Sequence, residues 1–195
     1  ENRTISVIVL FNSNISNLDD KNIVVVDKIT STKNEDGNNV QKLYGIYEGN
    51  KNFSILTEED GILRVEVSEG VYEPLTQGDI IQFETNANGE IDSITVLFDA
   101  SRNTLVYTPD ADSEMVTMYG EVIAKSKSGD VLTIEEDGTV RYQKITGATV
   151  YRYDSAKKAV SVSEIGDIEV SDGEDTSFVF IRVYDDTNIE IVIID

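Results

Sequence analysis

The side chains able to do chemistry in this chain are carboxylates, lysines, tyrosines and serines, because its 195 residues include no histidine and no cysteine. Without histidine the commonest general base and transition-metal ligand is gone; without cysteine there are no thiol nucleophiles, thiolate zinc sites or disulfides. Carboxylates are plentiful, with 37 Asp and Glu against 16 Lys and Arg, a formal charge of −21. They gather at Glu58-Glu59-Asp60, at Asp110, Asp112 and Glu114, at Glu135-Glu136-Asp137, at Asp172, Glu174 and Asp175, and at Asp185-Asp186. Calcium takes about six to eight hard oxygens, and the alternating carboxylates of Asp110, Asp112 and Glu114 could supply part of such a shell. No run matches the EF-hand loop, which needs a glycine and a closing glutamate at fixed places. The same clusters also suit solvated turns. Paired acids could in principle hydrolyse a glycosidic bond, but no pair stands out, and phosphate loop, dinucleotide fingerprint and nucleophile elbow are all missing. The expectation is therefore a non-enzyme with no catalytic residues and no cofactor, calcium being the one ion that its acids could hold.

Tyrosines are the second candidate, nine of them with no tryptophan. Tyr151 and Tyr153 fall two apart on an extended stretch and so face the same way; with Tyr142 or Tyr119 they could form a platform on which a sugar ring stacks. Half-buried strand tyrosines equally well lay their rings over a core and leave the hydroxyl at a wet edge. The strong negative charge repels phosphate backbones and anionic lipid, so neither nucleic acid nor membrane is an expected partner. The longest apolar runs, such as residues 6–11 and 190–194, are far too short to cross a bilayer.

Any such residue must be positioned by strands, because period-two alternation dominates and no 3.6-residue stripe is sustained. Residues 78–98 read as a β-hairpin: Ile81 and Phe83 alternate with Gln82 and Glu84, Asn88-Gly89 makes the turn, and Ile94, Val96 and Phe98 alternate on the return. Residues 178–195 repeat that rhythm around Asp185-Asp186-Thr187-Asn188. Further strands are expected at 23–30, 40–47, 53–57, 62–68, 120–126, 131–134, 139–146, 150–153 and 160–162. Glu58-Glu59-Asp60-Gly61 and Glu135-Glu136-Asp137-Gly138 each carry an arginine three places later, Arg64 and Arg141, which suggests a duplicated module. The expected fold is mostly β: two tandem small antiparallel β-barrel or sandwich modules at 22–99 and 118–195, a linker at 100–117, and an N-terminal strand segment at 1–21 whose residues 4–11 find no nearby partner. The chain opens on Glu1, and it reads as a piece of a longer protein.

The stretches IVVVDKITSTKNEDGNNVQKLYGIYEG, LTQGDIIQFETNANGEIDSITVLFD and MYGEVIAKSKSGDVLTIEEDG resemble, in strand rhythm and Gly-Asp-Ile-Ile turns, the tandem β modules of clostridial cell-surface proteins that carry S-layer-homology domains. The resemblance implies an extracellular or surface-displayed, non-catalytic spacer or assembly element; the helical wall-anchoring domains of such proteins have no counterpart here. Partners expected on this view are neighbouring modules or copies joined by β-edge contacts. Two alternatives stay open: a module binding carbohydrate or cell-wall polysaccharide, and an accessory domain of an extracellular hydrolase.

Overall fold

A computed structural model describes residues 22–110, 112–172, 177–185 and 187–195. The expected strand at 4–11, like the rest of the N-terminal segment 1–21, lies outside the described residues. The chain divides into two compact units, Glu1–Tyr107 and Thr108–Asp195. Among the described residues the regular structure of both is almost wholly strand, and neither forms a closed barrel. The stretch expected as a linker is shared between them, because β8 (Thr104–Leu105) hydrogen-bonds into the first sheet and β9 (Met115–Lys125) opens the second.

In the first unit, β1 (Val24–Lys33), β2 (Asn39–Tyr47) and β3 (Asn50–Leu56) form an antiparallel meander. The chain then makes a separate two-stranded hairpin, β4 (Arg64–Ser68) with β5 (Val71–Pro74). It returns as the hairpin β6 (Ile80–Thr85) and β7 (Ile91–Asp99), with β6 laid beside β1. The sheet order is β3-β2-β1-β6-β7-β8, and one parallel bridge, Thr57 to Ile91, brings the end of β3 back to β7.

The second unit follows the same path. After β9 come β10 (Val131–Glu136) and β11 (Thr139–Lys144), and the chain runs on through a short turn into β12 (Thr149–Asp154) and β13 (Ala159–Ser163). A single 3-10 turn at Ile165–Asp167 precedes the closing hairpin of β14 (Phe178–Tyr184) and β15 (Asn188–Ile194). The order is β11-β10-β9-β14-β15-β12-β13. Here β12 pairs in parallel with β15, a departure from a purely antiparallel module, and it enlarges the parallel contact that one bridge makes in the first unit. The two sheets share a run of five strands in one order, β3-β2-β1-β6-β7 in the six-stranded first and β11-β10-β9-β14-β15 in the seven-stranded second, a topology that by itself assigns no function.

The duplication extends to single hydrogen bonds. Each first strand carries one bulged residue, Asp27 in β1 and Ile123 in β9. Beside it, Val26 N–H donates to the Asp79 carbonyl at 2.9 Å and Val122 N–H to the Ser177 carbonyl at 2.9 Å. Both second hairpin turns have two residues at positive φ, Glu48 (49°) with Gly49 (74°) and Asp137 (47°) with Gly138 (77°), the backbone a two-residue turn needs between twisted strands. The sequence repeat, by contrast, is offset by one strand. Glu58-Glu59-Asp60-Gly61 follows β3, whereas Glu135-Glu136-Asp137-Gly138 joins β10 to β11. Arg64 and Arg141 are accordingly not equivalent.

Each unit has an apolar core from one sheet face: Val24, Val26, Leu43, Ile81, Phe83 and Val96 in the first, Val122, Ile134, Val179, Ile181, Ile191 and Ile193 in the second. Leu63, Val65 and Leu75 from the β4–β5 hairpin and its flank complete the first core. Two glycines allow the strands to approach closely: a Cβ on Gly45 would lie 2.5 Å from the Val25 carbonyl oxygen, and one on Gly120 would overlap the carbonyl of Glu135. Gly45→Ala or Gly120→Ala is expected to destabilise its unit by roughly 1–3 kcal/mol through overpacking, measured by urea unfolding.

The centre of the first hairpin is covered on both faces. Gln82 is buried along with Ile80, Ile81 and Phe83, and Thr95 and Leu97 along with Val96. Both central hairpins are buried on both faces, which explains why 178–184 and 188–194 read as near-continuous apolar runs.

Candidate functional site

Two polar clusters are built into the fold, and each follows from where a charged side chain meets a buried strand end or face. In the first unit the turn before β6 places Asp79 against the exit of β7. Its carboxylate accepts the Thr76 N–H at 2.6 Å, the Ala100 N–H at 2.9 Å and the Thr76 hydroxyl at 3.3 Å, so one side chain ties together the two ends of a hairpin. Next to it, Asp99 accepts from the Ser101 hydroxyl at 2.7 Å and from the Arg102 guanidinium at 2.5 Å, and Arg102 reaches on to Glu73 of β5 at 2.8 Å. Burial pushes the Asp79 carboxyl up to about 6 against the pull of its backbone donors, and the charge of Asp99 pushes the same way. For Asp99 burial also pushes upward, but the hydrogen bonds from Ser101 and Arg102 and the guanidinium charge together outweigh it and hold the carboxyl below its usual range.

Two neighbouring acids with opposite shifts are the pattern of an acid–base pair. Their donors give them another task. Both Asp79 oxygens are engaged by the loops they hold, and Asp99 fixes Arg102 and through it β5.

In the second unit Arg182 of β14 and Glu190 of β15 are register partners, with 0% and 3% of their side chains exposed and 3.2 Å between Nη1 and Oε2. The Tyr151 hydroxyl donates to the other Glu190 oxygen at 3.3 Å. Their side chains lie on the face opposite Val179, Ile181, Ile191 and Ile193. In the first unit the corresponding hairpin has Gln82 directly across from Thr95, both buried. Each unit thus sets a buried polar cross-strand pair into the apolar centre of its hairpin.

No family model, curated protein or solved structure matches this chain.

Of the residues expected to form sites, Tyr151 is fully buried and offers no ring face to a sugar; Tyr153 is half-buried on the same strand. Tyr142, 74% exposed, lies on edge strand β11, and the Tyr119 ring stacks on Phe178 with centroids 5.6 Å apart. The structure assembles no aromatic platform from these rings. Asp110, Asp112 and Glu114 are all exposed, and the Glu114 carboxylate accepts from the Tyr184 hydroxyl at 3.1 Å. Among the described residues no three acids are grouped to share an ion. Raising calcium is accordingly expected to shift the melting temperature no more than sodium chloride at matched ionic strength, since both screen the same net charge of −21. A calcium-specific rise would reinstate an ion site.

Arg182 and Glu190 are not among the residues singled out from the sequence. A signal was there: they sit at equal distances either side of the turn, with opposite charge, each flanked by apolar neighbours. Asp79 lay in the recognised Gly-Asp-Ile-Ile turn, but its second partner, Ala100, is 21 residues away and left no local mark.

Proposed function

We propose that this chain is a non-catalytic structural or assembly module of a secreted or surface-displayed bacterial protein, serving as a spacer or self-associating unit. The observation that carries the reading is one strand plan used twice, with the buried ionisable groups Asp79, Arg182 and Glu190 committed to a turn and to strand register. Repetition of a compact β unit builds length, and open sheets leave edges on which strands from neighbours can add. The extracellular setting draws support from the strand rhythm shared with clostridial surface modules and from a charge of −21, which keeps separate surfaces apart except where a specific contact forms.

Sedimentation of the intact chain tests it. Mass is expected to grow with concentration, and removal of residues 1–21 is expected to abolish that growth without unfolding either unit. An intact chain and a truncated chain of identical mass behaviour would remove the basis for assembly by this segment.

A further inference from the structure

Natural sheets guard their edges with charge, proline, bulges or very short strands. Here β3 carries Lys51, β8 has only two residues, and β11 carries Arg141 and Lys144. In the two-stranded sheet, β4 carries Arg64 and Glu66, and β5 carries Glu73 and Pro74. β13 differs. Its sequence AVSVS has no charge and no proline, it pairs with β12 without a bulge from Ala159 to Ser163, and no described strand lies beyond it. Val162 on it is 47% exposed.

Building on the assembly reading above, we propose that β13 is the acceptor edge and that residues 4–11 of a neighbouring copy are the strand it receives. The donor, TISVIVLF, is also uncharged and rich in β-branched residues. In a chain of net charge −21, an uncharged donor on an uncharged edge is a contact between copies that sets no acid against acid. The side chains match by row as well. Val7 and Val9 alternate with Ser6 and Ile8, as Val160 and Val162 alternate with Ser161 and Ser163, so an apolar row and a row containing small residues are available on both sides. Residues 12–23 separate the donor from β1, and fully extended they span up to about 40 Å, enough to leave their own unit and reach a neighbour's edge. Backbone hydrogen bonds would supply the affinity and the alternating side chains the register.

The absence of cysteine makes engineered pairs clean reporters. Full-length chain carrying Val7→Cys, mixed with full-length chain carrying Val162→Cys and mildly oxidised, is expected to give a mixed disulfide dimer on a non-reducing gel. In parallel, Ser161→Lys with Val162→Lys is expected to weaken self-association by at least about tenfold in sedimentation, with circular dichroism unchanged. Cross-linking of Val7→Cys to Tyr142→Cys on β11 or Lys51→Cys on β3 instead would overturn the choice of β13 while leaving assembly intact. A single chain carrying both cysteines that closes on itself would overturn the exchange between copies. Single-chain mass at every concentration would sink this inference and the assembly reading together.

Discussion

Removing either partner of the buried ion pair, by Glu190→Leu or Arg182→Met, is expected to cost the second unit about 3–5 kcal/mol, because the remaining charge is then left buried without its partner. The pair is nearly inaccessible, at 0% and 3% exposure, and Tyr151 holds the remaining face of the carboxylate. Against a whole-domain stability of about 5–15 kcal/mol, such a loss brings the unit close to unfolding. The double replacement Arg182→Met with Glu190→Leu is expected to recover most of the loss, since it removes both charges and their desolvation together. Urea unfolding of the four proteins forms a double-mutant cycle, and the prediction is a coupling of at least about 2 kcal/mol. Single replacements costing under about 1 kcal/mol would mean the pair is solvated, as surface pairs are. The pair's structural consequence is register. A slip of one residue in β15 against β14 would turn Glu190 toward the core of Val179, Ile181, Ile191 and Ile193 and leave Arg182 buried without it, so the charges exclude the slipped pairing.

The second large effect is a pH dependence centred on Asp79. Its carboxyl is raised from 3.8 to about 6 in the folded protein, so between those values the folded state holds a proton that the unfolded chain does not. Stability therefore rises as pH falls from neutrality, by about 1–2 kcal/mol at pH 5 and approaching about 3 kcal/mol near pH 3.8. The charged groups around it are Asp99 directly, and Arg102 and Glu73 through Asp99; Thr76 and Ala100 supply its other donors. Below pH 3.8 the trend reverses, as Asp99, Asp130, Asp154 and Asp167, all held below their usual range, take up protons. Falling pH also relieves the general repulsion of a chain at −21, so the informative quantity is a difference. Unfolding of the parent and of Asp79→Asn is measured at pH 7.5 and pH 5; the parent is expected to gain about 1–2 kcal/mol more than the variant. Equal gains would show that Asp79 titrates normally and that its clasp is open to water.

Strands and tight turns were legible in the sequence because their causes are local. Asp137-Gly138 marks a positive-φ turn, Gly49 marks another to within one residue, the turn read at Gly49-Asn50 being made by Glu48-Gly49, and β-branched alternation marks the strands between turns. Pairing between distant segments was not. Nothing local tells β6 to lie beside β1, or β12 to run parallel to β15. The repeat was sensed but misaligned for the same reason: an acidic Asp-Gly turn suits any exposed hairpin, so its recurrence reports turn chemistry and not position in the fold. Gln82, Arg182 and Glu190 escape notice because alternation ordinarily implies one solvated face, an inference that fails once a sheet is covered on both sides.

The assembly account is tested most directly by amide hydrogen exchange on the intact chain, compared between dilute and concentrated solution. Strand addition predicts that protection rises with concentration in residues 4–11 and in Ala159–Ser163, and stays constant in the central hairpins of both units. Exchange unchanged with concentration in both segments would contradict it.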